Sequence, residues 1–210
     1  MKLIEMTVDK YVDTVASDAP APGGGSVSAL AGAQGVGLAT MVAALTVGKK
    51  KYLDYAETCR QVIETSMPYV QSLKEQVDRD TDAFDMVSAA FKLPKETDEQ
   101  KAARSAAIQA GTLVSTQVPF ETMTMALEAL RNAQKLLGGF NTNCASDLGV
   151  AALQLNAAVK GAWLNVLINI GGMKDKEKAA EYREKGQAIV DEAEGIAFDI
   201  YSEVERIVNA

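Results

Sequence analysis

The 210-residue chain contains no histidine. That absence removes Ser-His-Asp and Cys-His arrangements, the HExxH zinc site and any imidazole acid or base. Cysteine is nearly as scarce. Cys59 and Cys144 are too few for a disulfide scaffold and too isolated for a Cys-based zinc site. Excess positive charge is also missing: 21 Lys and Arg stand against 28 Asp and Glu, a formal net charge of −7. General nucleic-acid binding, which needs a basic stripe to displace phosphate counterions, is thereby disfavoured. No stretch alternates with period two and no βαβ rhythm appears, so the expected fold has no sheet. The N-terminal MKLIEMTVDKYV mixes acids with apolar residues and lacks the apolar run of a signal peptide, which points to a cytoplasmic protein with reduced thiols. Catalysis must then rest on carboxylates, Lys, Tyr, Cys or backbone dipoles.

What is present is ample apolar material, 48% of residues, in a length that suits one domain over residues 1–210. Ser26 to Val47 carries no charge and is followed by Lys49, Lys50 and Lys51, so length and flank fit a membrane span. Its content does not. Ser26, Ser28, Gly32, Gln34, Gly35, Gly37, Thr40 and Thr46 interrupt it, and such a stretch suits a helix packed closely among neighbours, with no membrane involved.

Val8, Tyr11, Val12 and Val15 space an amphipathic helix behind Thr7 as N-cap. Two prolines and three glycines then forbid regular structure up to Ser26, which is placed to cap the small-residue helix; Gly48 ends it. From Lys50 helical spacing persists to Leu93, with Pro68 expected to kink or divide it. Thr97-Asp-Glu-Gln100 is a capping box for a helix to about Thr116, and Pro119 suits the first turn of another running to Leu137. Between Asp147 and Lys174 the sole charge is Lys160, predicting a second buried helix, and Ile189 to Ile207 closes the chain amphipathically. The reading is all-α: a single bundle of about seven helices around two buried apolar central ones.

Four clusters are candidates for chemistry. In Pro22-Gly23-Gly24-Gly25-Ser26, glycines admit a ligand to the backbone and a helix N-terminus offers free N–H groups; a plain turn explains the run equally well. In the acidic stretch, Asp78, Asp82 and Asp85 share a face suited to solvent. Asp80 points elsewhere, nearer Val77 and Phe84, where desolvation would raise its pKa towards that of a working acid or base. Ser146 or Asp147 fits an N-cap, or alternatively Asp147 holds a polar ligand near the glycine loop. Asn165 and Asn169, one turn apart among apolar residues, either tie down neighbouring backbone or line a pocket. Lys49 and Lys50 are normally solvated, yet beside a ligand site they would attract carboxylates.

Taken in order, Pro22-Gly-Gly-Gly-Ser26, Met41-Val-Ala-Ala-Leu-Thr46, Gly48-Lys-Lys-Lys-Tyr52, Asp80-Thr-Asp-Ala-Phe84, Leu93-Pro-Lys95, Ser146-Asp147 and Asn165-Val-Leu-Ile-Asn169 resemble the cyclodeaminase/cyclohydrolase family over the whole chain. The resemblance implies an all-helical, cytoplasmic homodimer that needs no metal and no tightly bound cofactor, and takes a tetrahydrofolate derivative, a reduced folate, as substrate. It implies a glycine loop in the site and an acid/base at Asp80, with Asp82 as the fallback. Two reactions are implied for the family, hydrolysis of the methenyl bridge and ring closure with loss of ammonia. Cyclohydrolase is the expectation because no formiminotransferase portion precedes this sequence. The contrasting expectation is a helical bundle that only binds partners.

Overall fold

In the computed structural model, which describes residues 2–210, six α-helices carry the fold: α1 (Val8–Val15), α2 (Gly24–Thr46), α3 (Ala56–Phe91), α4 (Asp98–Gln134), α5 (Ala145–Gly171) and α6 (Lys176–Val208), with no strand among the described residues. Short 3-10 turns join some of them, one of which, Lys50–Tyr55, replaces the expected start of the third helix. Thr7 caps α1 by accepting the Lys10 N–H, and the Thr97/Gln100 capping box opens α4, as their sequences predict. Gly48, at φ +81°, takes the left-handed conformation that ends α2.

The expected count of seven becomes six because α4 runs unbroken through Pro119, joining two expected helices, while Pro68 does not divide α3 either. Pro68 lies within α3 and Pro119 within α4. Proline lacks an N–H, so the carbonyl four residues earlier loses its helical donor. For Pro119 that carbonyl belongs to Ser115, and the Asn169 side chain of α5 donates to it at 2.6 Å. A tertiary contact thus supplies the missing donor, and α4 runs on.

α2 and α5 lie antiparallel. Gly24 faces Asn165, Gly161 faces Ser28, Gly32 faces Ala158, and Gly35 faces Leu155 and Ala151. The approach is close enough that a Cβ on Gly35 would stand 2.7 Å from Leu155 Cγ, which is why small residues dominate α2. The shared core draws on α2 to α6, with Val36, Leu73, Met123, Leu130, Leu148, Leu155 and Ile200 almost fully buried. α1 packs separately, setting Tyr11 against Ala29 and Val77.

α2 and α5 are buried on their inner faces only, so the expectation of two helices enclosed on nearly all sides is met on one side. On α2 the exposed or half-exposed positions are Gly24, Val27, Leu30, Ala31, Gln34, Gly37, Leu38, Met41, Ala44 and Leu45, and within them Gly24, Val27, Ala31, Gln34, Leu38, Met41 and Leu45 follow the three-four spacing of a coiled-coil seam. On α5, Val150, Leu153, Leu164 and Ile168 face outward, the last 79% exposed. α2 is long and apolar enough to cross a membrane, but it is packed between α3 and α5 within the bundle.

Candidate active site

The first turn of α2 meets the middle of α3. The N-cap is Gly23, not Ser26, and no side chain of its own segment caps the helix. The acceptor comes from across the bundle instead. Asp80 Oδ2 accepts the Ser26 N–H at 2.9 Å and the Ser26 hydroxyl at 3.3 Å, while Ser26 Oγ also donates to the Val77 carbonyl at 2.8 Å. A carboxylate at a helix N-terminus is favoured by the unsatisfied N–H groups and the helix dipole. Asp80 Oδ1 accepts no hydrogen bond among the described residues. That carboxylate lies against Gly25, where any Cβ would collide with it far inside van der Waals contact.

Burial pushes the Asp80 carboxyl above the ordinary aspartate value, and the two hydrogen bonds from Ser26 pull against that rise without cancelling it. Asp82 and Asp85 are exposed, in keeping with a solvated face. Asp78 departs from that expectation. It is half-buried, and its Oδ1 accepts the Leu3 N–H at 2.6 Å, pinning the N-terminal segment to α3.

Two amides complete this end of the bundle. Asn165 donates to its own helix at Gly161 O (2.9 Å) and borders Gly24; Asn169 makes the bond to Ser115 O. Each thus ties down backbone through Nδ2, and each is only half-buried. Pro22, Gly23, Gly24, Gly25, Ser26, Asp80, Asn165 and Asn169 therefore gather within one region.

Lys49, Lys50, Ser146 and Asp147 do not join them. The 23 residues of α2 rise about 34 Å, so Lys49 and Lys50, beyond its C-terminus, lie at the opposite end of the bundle. The start of α5 lies there too, because α5 runs antiparallel to α2. The joining contacts are Asn141 N to Thr46 Oγ1 at 2.9 Å and Tyr52 OH to Thr142 Oγ1 at 3.2 Å. The N-cap of α5 is Cys144, which puts Ser146 and Asp147 inside the first turn and corrects their expected capping role. Asp147 is not near the glycine loop of its own chain.

Sequence reasoning assigned Tyr11 to a hydrophobic face and missed its polar end. The Tyr11 hydroxyl is buried without a partner, and its pKa is raised by burial first and then by the nearby charges of Asp80 and Asp78. Helical spacing alone does not distinguish such a tyrosine from a core residue.

With this geometry in place, comparison with known proteins is decisive. A family model described as formiminotransferase-cyclodeaminase matches residues 7–188. The chain belongs to that family. It is 38% identical over 203 residues to the methenyltetrahydrofolate cyclohydrolase of Methylorubrum extorquens, covering 97% of this chain and 98% of that protein. It is 37% identical over 194 residues to the formimidoyltransferase-cyclodeaminase of Sus scrofa, matching 91% of this chain but only 35% of the longer protein. Among solved structures, the formiminotetrahydrofolate cyclodeaminase from Thermotoga maritima superposes with a TM-score of 0.81 at 25% identity, covering 99% and 98% of the two chains. Membership of this family makes the chain an enzyme of folate one-carbon chemistry.

Proposed function

We propose that the protein is a methenyltetrahydrofolate cyclohydrolase, with Asp80 as its acid/base and Pro22–Ser26, Asn165 and Asn169 lining the substrate site. The observation that carries the assignment is a half-buried carboxylate with one oxygen held by Ser26 and the other unengaged, seated against a glycine that leaves it room. The full-length match to a cyclohydrolase supports this reaction over ring closure.

Water attacks the amidinium carbon between N5 and N10 as Asp80 takes one of its protons, giving a neutral hydroxyl adduct. The protonated Asp80 then delivers that proton to N5 as the carbon–N5 bond breaks. The adduct hydroxyl loses its proton as the formyl C=O forms, leaving 10-formyltetrahydrofolate and one proton in solution. A raised carboxyl pKa suits both transfers, and the negative charge stabilises the cationic substrate. Asp82, exposed one turn-half away, is the fallback acid/base if Asp80 serves only as a cap. The cyclodeaminase reading draws on the whole-chain likeness to the Thermotoga maritima enzyme. It would use the same carboxylate on an adduct bearing NH2.

The proposal extends to a cytoplasmic homodimer built on the outer face of α2 and α5. That face is uncharged along α2, and in mid-length it carries a groove lined by Gln34, Gly37, Leu38, Met41, Val150 and Gln154. A two-fold axis normal to the helices would bury the stripe and make α2 and α5 central in the dimer. It would also set the Lys49–Lys51 end of each copy against the aspartate-rich end of the other. Lys49, Lys50, Ser146 and Asp147 would then contribute to the substrate site of a second copy.

The test is direct: purified protein mixed with methenyltetrahydrofolate should bleach the methenyl chromophore faster than buffer. With formiminotetrahydrofolate, appearance of that chromophore with ammonia release would assign the cyclodeaminase. Neither change, together with no folate binding at micromolar concentration, would leave a partner-binding bundle.

A further inference from the structure

The one residue of α1 that is buried is Tyr11. Its ring packs on Ala29 of α2 and Val77 of α3. Val77 precedes Asp80 by three residues and accepts the Ser26 hydroxyl, and Ala29 follows Ser26 by three. The ring therefore sits about 4.5 Å of helical rise from the place where Ser26 meets Asp80.

A phenylalanine would make the same apolar contacts. The hydroxyl adds a polar group that loses its water on burial, a cost that is recovered only through an acceptor. It makes no hydrogen bond, yet two carboxylate oxygens nearby are also free: Asp78 Oδ2, buried without a partner, and Asp80 Oδ1. Burial first, then the charges of Asp80 and Asp78, raise the Tyr11 pKa, so the phenol keeps its proton and stays a donor wherever a carboxylate is ionised. The other groups around Asp80 are committed. Ser26 on α2 already donates to it, Asn165 on α5 donates to Gly161 O, Asp78 on α3 is an acceptor for Leu3 N–H, and Arg79 is paired with Glu121 at 2.7 Å. None of these supplies a second donor to the Asp80 carboxylate from the protein side.

We propose that Tyr11 is a positioning residue for the acid/base: its hydroxyl donates to the Asp80 carboxylate when that group ionises, and so sets the pH at which Asp80 begins to accept a proton. The inference rests on the reading of Asp80 as acid/base. Hydrogen bonds of this kind are often long in a free enzyme and tighten as the reaction proceeds. A carboxylate oxygen accepts two hydrogen bonds, so the attacking water keeps its place beside the phenol. A donor favours the charged form, which lowers the Asp80 pKa against the rise caused by burial; taking the hydroxyl away lets that pKa climb further.

The experiment uses Tyr11→Phe, which keeps the ring and its packing. The Ser26 amide donates to Asp80, so its NMR chemical shift reports ionisation of that carboxyl, and the titration should vanish in Asp80→Asn. Tyr11→Phe should raise the midpoint by about one pH unit, the scale of losing a hydrogen bond to a charged group. Tyr11→Leu should give the same shift with a larger loss of stability. In turnover of methenyltetrahydrofolate the acidic limb of kcat should move upward equally in Tyr11→Phe, with KM and the plateau of kcat within about twofold of wild type. A lower melting temperature with both midpoints unmoved would reduce Tyr11 to a packing residue and overturn the proposal. A Ser26 midpoint that moves while the limb of kcat stays, or while no turnover is seen, leaves Tyr11 coupled to Asp80 and removes Asp80 from the acid/base role.

Discussion

The two ends of the α2–α5 pair are built from similar materials and arrive at opposite electrostatics. At one end, the first turn of α2 has no cap of its own and takes a carboxylate from α3, which is left half-buried with a free oxygen. At the other, Thr46, Asn141, Tyr52 and Thr142 satisfy one another, and Lys49, Lys50 and Lys51 project into solvent. The first end holds a charge where burial disfavours it; the second leaves its charges where water solvates them. A group kept in an unfavourable setting by its surroundings is the better candidate for chemistry.

The sharpest way to break this comparison is Asp80→Asn, which keeps an acceptor for the Ser26 N–H but removes charge and proton transfer. Loss of a general acid–base group costs about 10²–10⁴-fold in rate, so kcat should fall in that range with folate affinity changing far less. Asp85→Asn, on the exposed face, should be nearly silent. If Asp80→Asn keeps more than about a tenth of kcat, the role passes to Asp82.

Gly25→Ala tests whether the position of that carboxylate matters as much as its presence. The added methyl must displace Asp80, and misplacement of a catalytic group by about 1 Å can cost on the order of 10² in rate. Gly24→Val is the milder companion: its Cβ meets only the Asn165 amide, at 3.4 Å, so folate binding should weaken while the fold remains. Equal effects from the two would show that the loop acts through its backbone alone.

Mixing variants asks whether the two ends meet across a dimer. Asp80→Asn and Lys49→Gln/Lys50→Gln should each be impaired alone. After subunit exchange, about a quarter of the sites would combine intact halves from two copies. Activity restored towards that fraction supports the shared site, whereas a mixture no better than its components excludes it. Light scattering at a mass near the 22.3 kDa of one chain would remove the dimer altogether.

Much of the fold was legible because burial leaves a periodic trace. The caps at Thr7 and Thr97, the uncharged course of α2, the nearly uncharged course of α5 and the break at Gly48 all follow from local chemistry. The continuity of α4 did not, since the donor for Ser115 O comes from Asn169, 54 residues away. The site was half legible for a related reason. The spacing of Asp80 set it apart from Asp82 and Asp85, but the antiparallel packing that sends Ser146 and Asp147 to the lysine end is a property of the tertiary fold.

Asn169 offers a smaller effect, in stability. Asn169→Leu leaves the Ser115 carbonyl without its donor, and an unsatisfied buried acceptor costs about 1–3 kcal/mol, less here because the site is only half-buried. Pro119→Ala in the same chain restores a backbone N–H to that carbonyl. The double variant should therefore recover part of the loss in urea midpoint, a non-additivity expected only if the two residues serve one acceptor. Strict additivity would detach Asn169 from the proline.

The last and smallest effect concerns stability against pH at the aspartate end. Burial raises the Asp80 carboxyl pKa in the folded protein, so the native state holds that proton more tightly than the unfolded chain does. Below the ordinary aspartate value, about 3.9, both states are protonated and the group carries no penalty. As pH rises through the raised folded value the carboxylate ionises inside the protein, and stability is lost up to a plateau at neutral pH. Asp80→Asn cannot ionise and escapes that loss. Its melting temperature should exceed that of the wild type at pH 7, with the gap closing as the pH is lowered towards 4. A wild type more stable than the variant at pH 7 would mean that the Ser26 hydrogen bonds outweigh the cost of burial. The contrast between the two ends would then be one of capping, without stored charge.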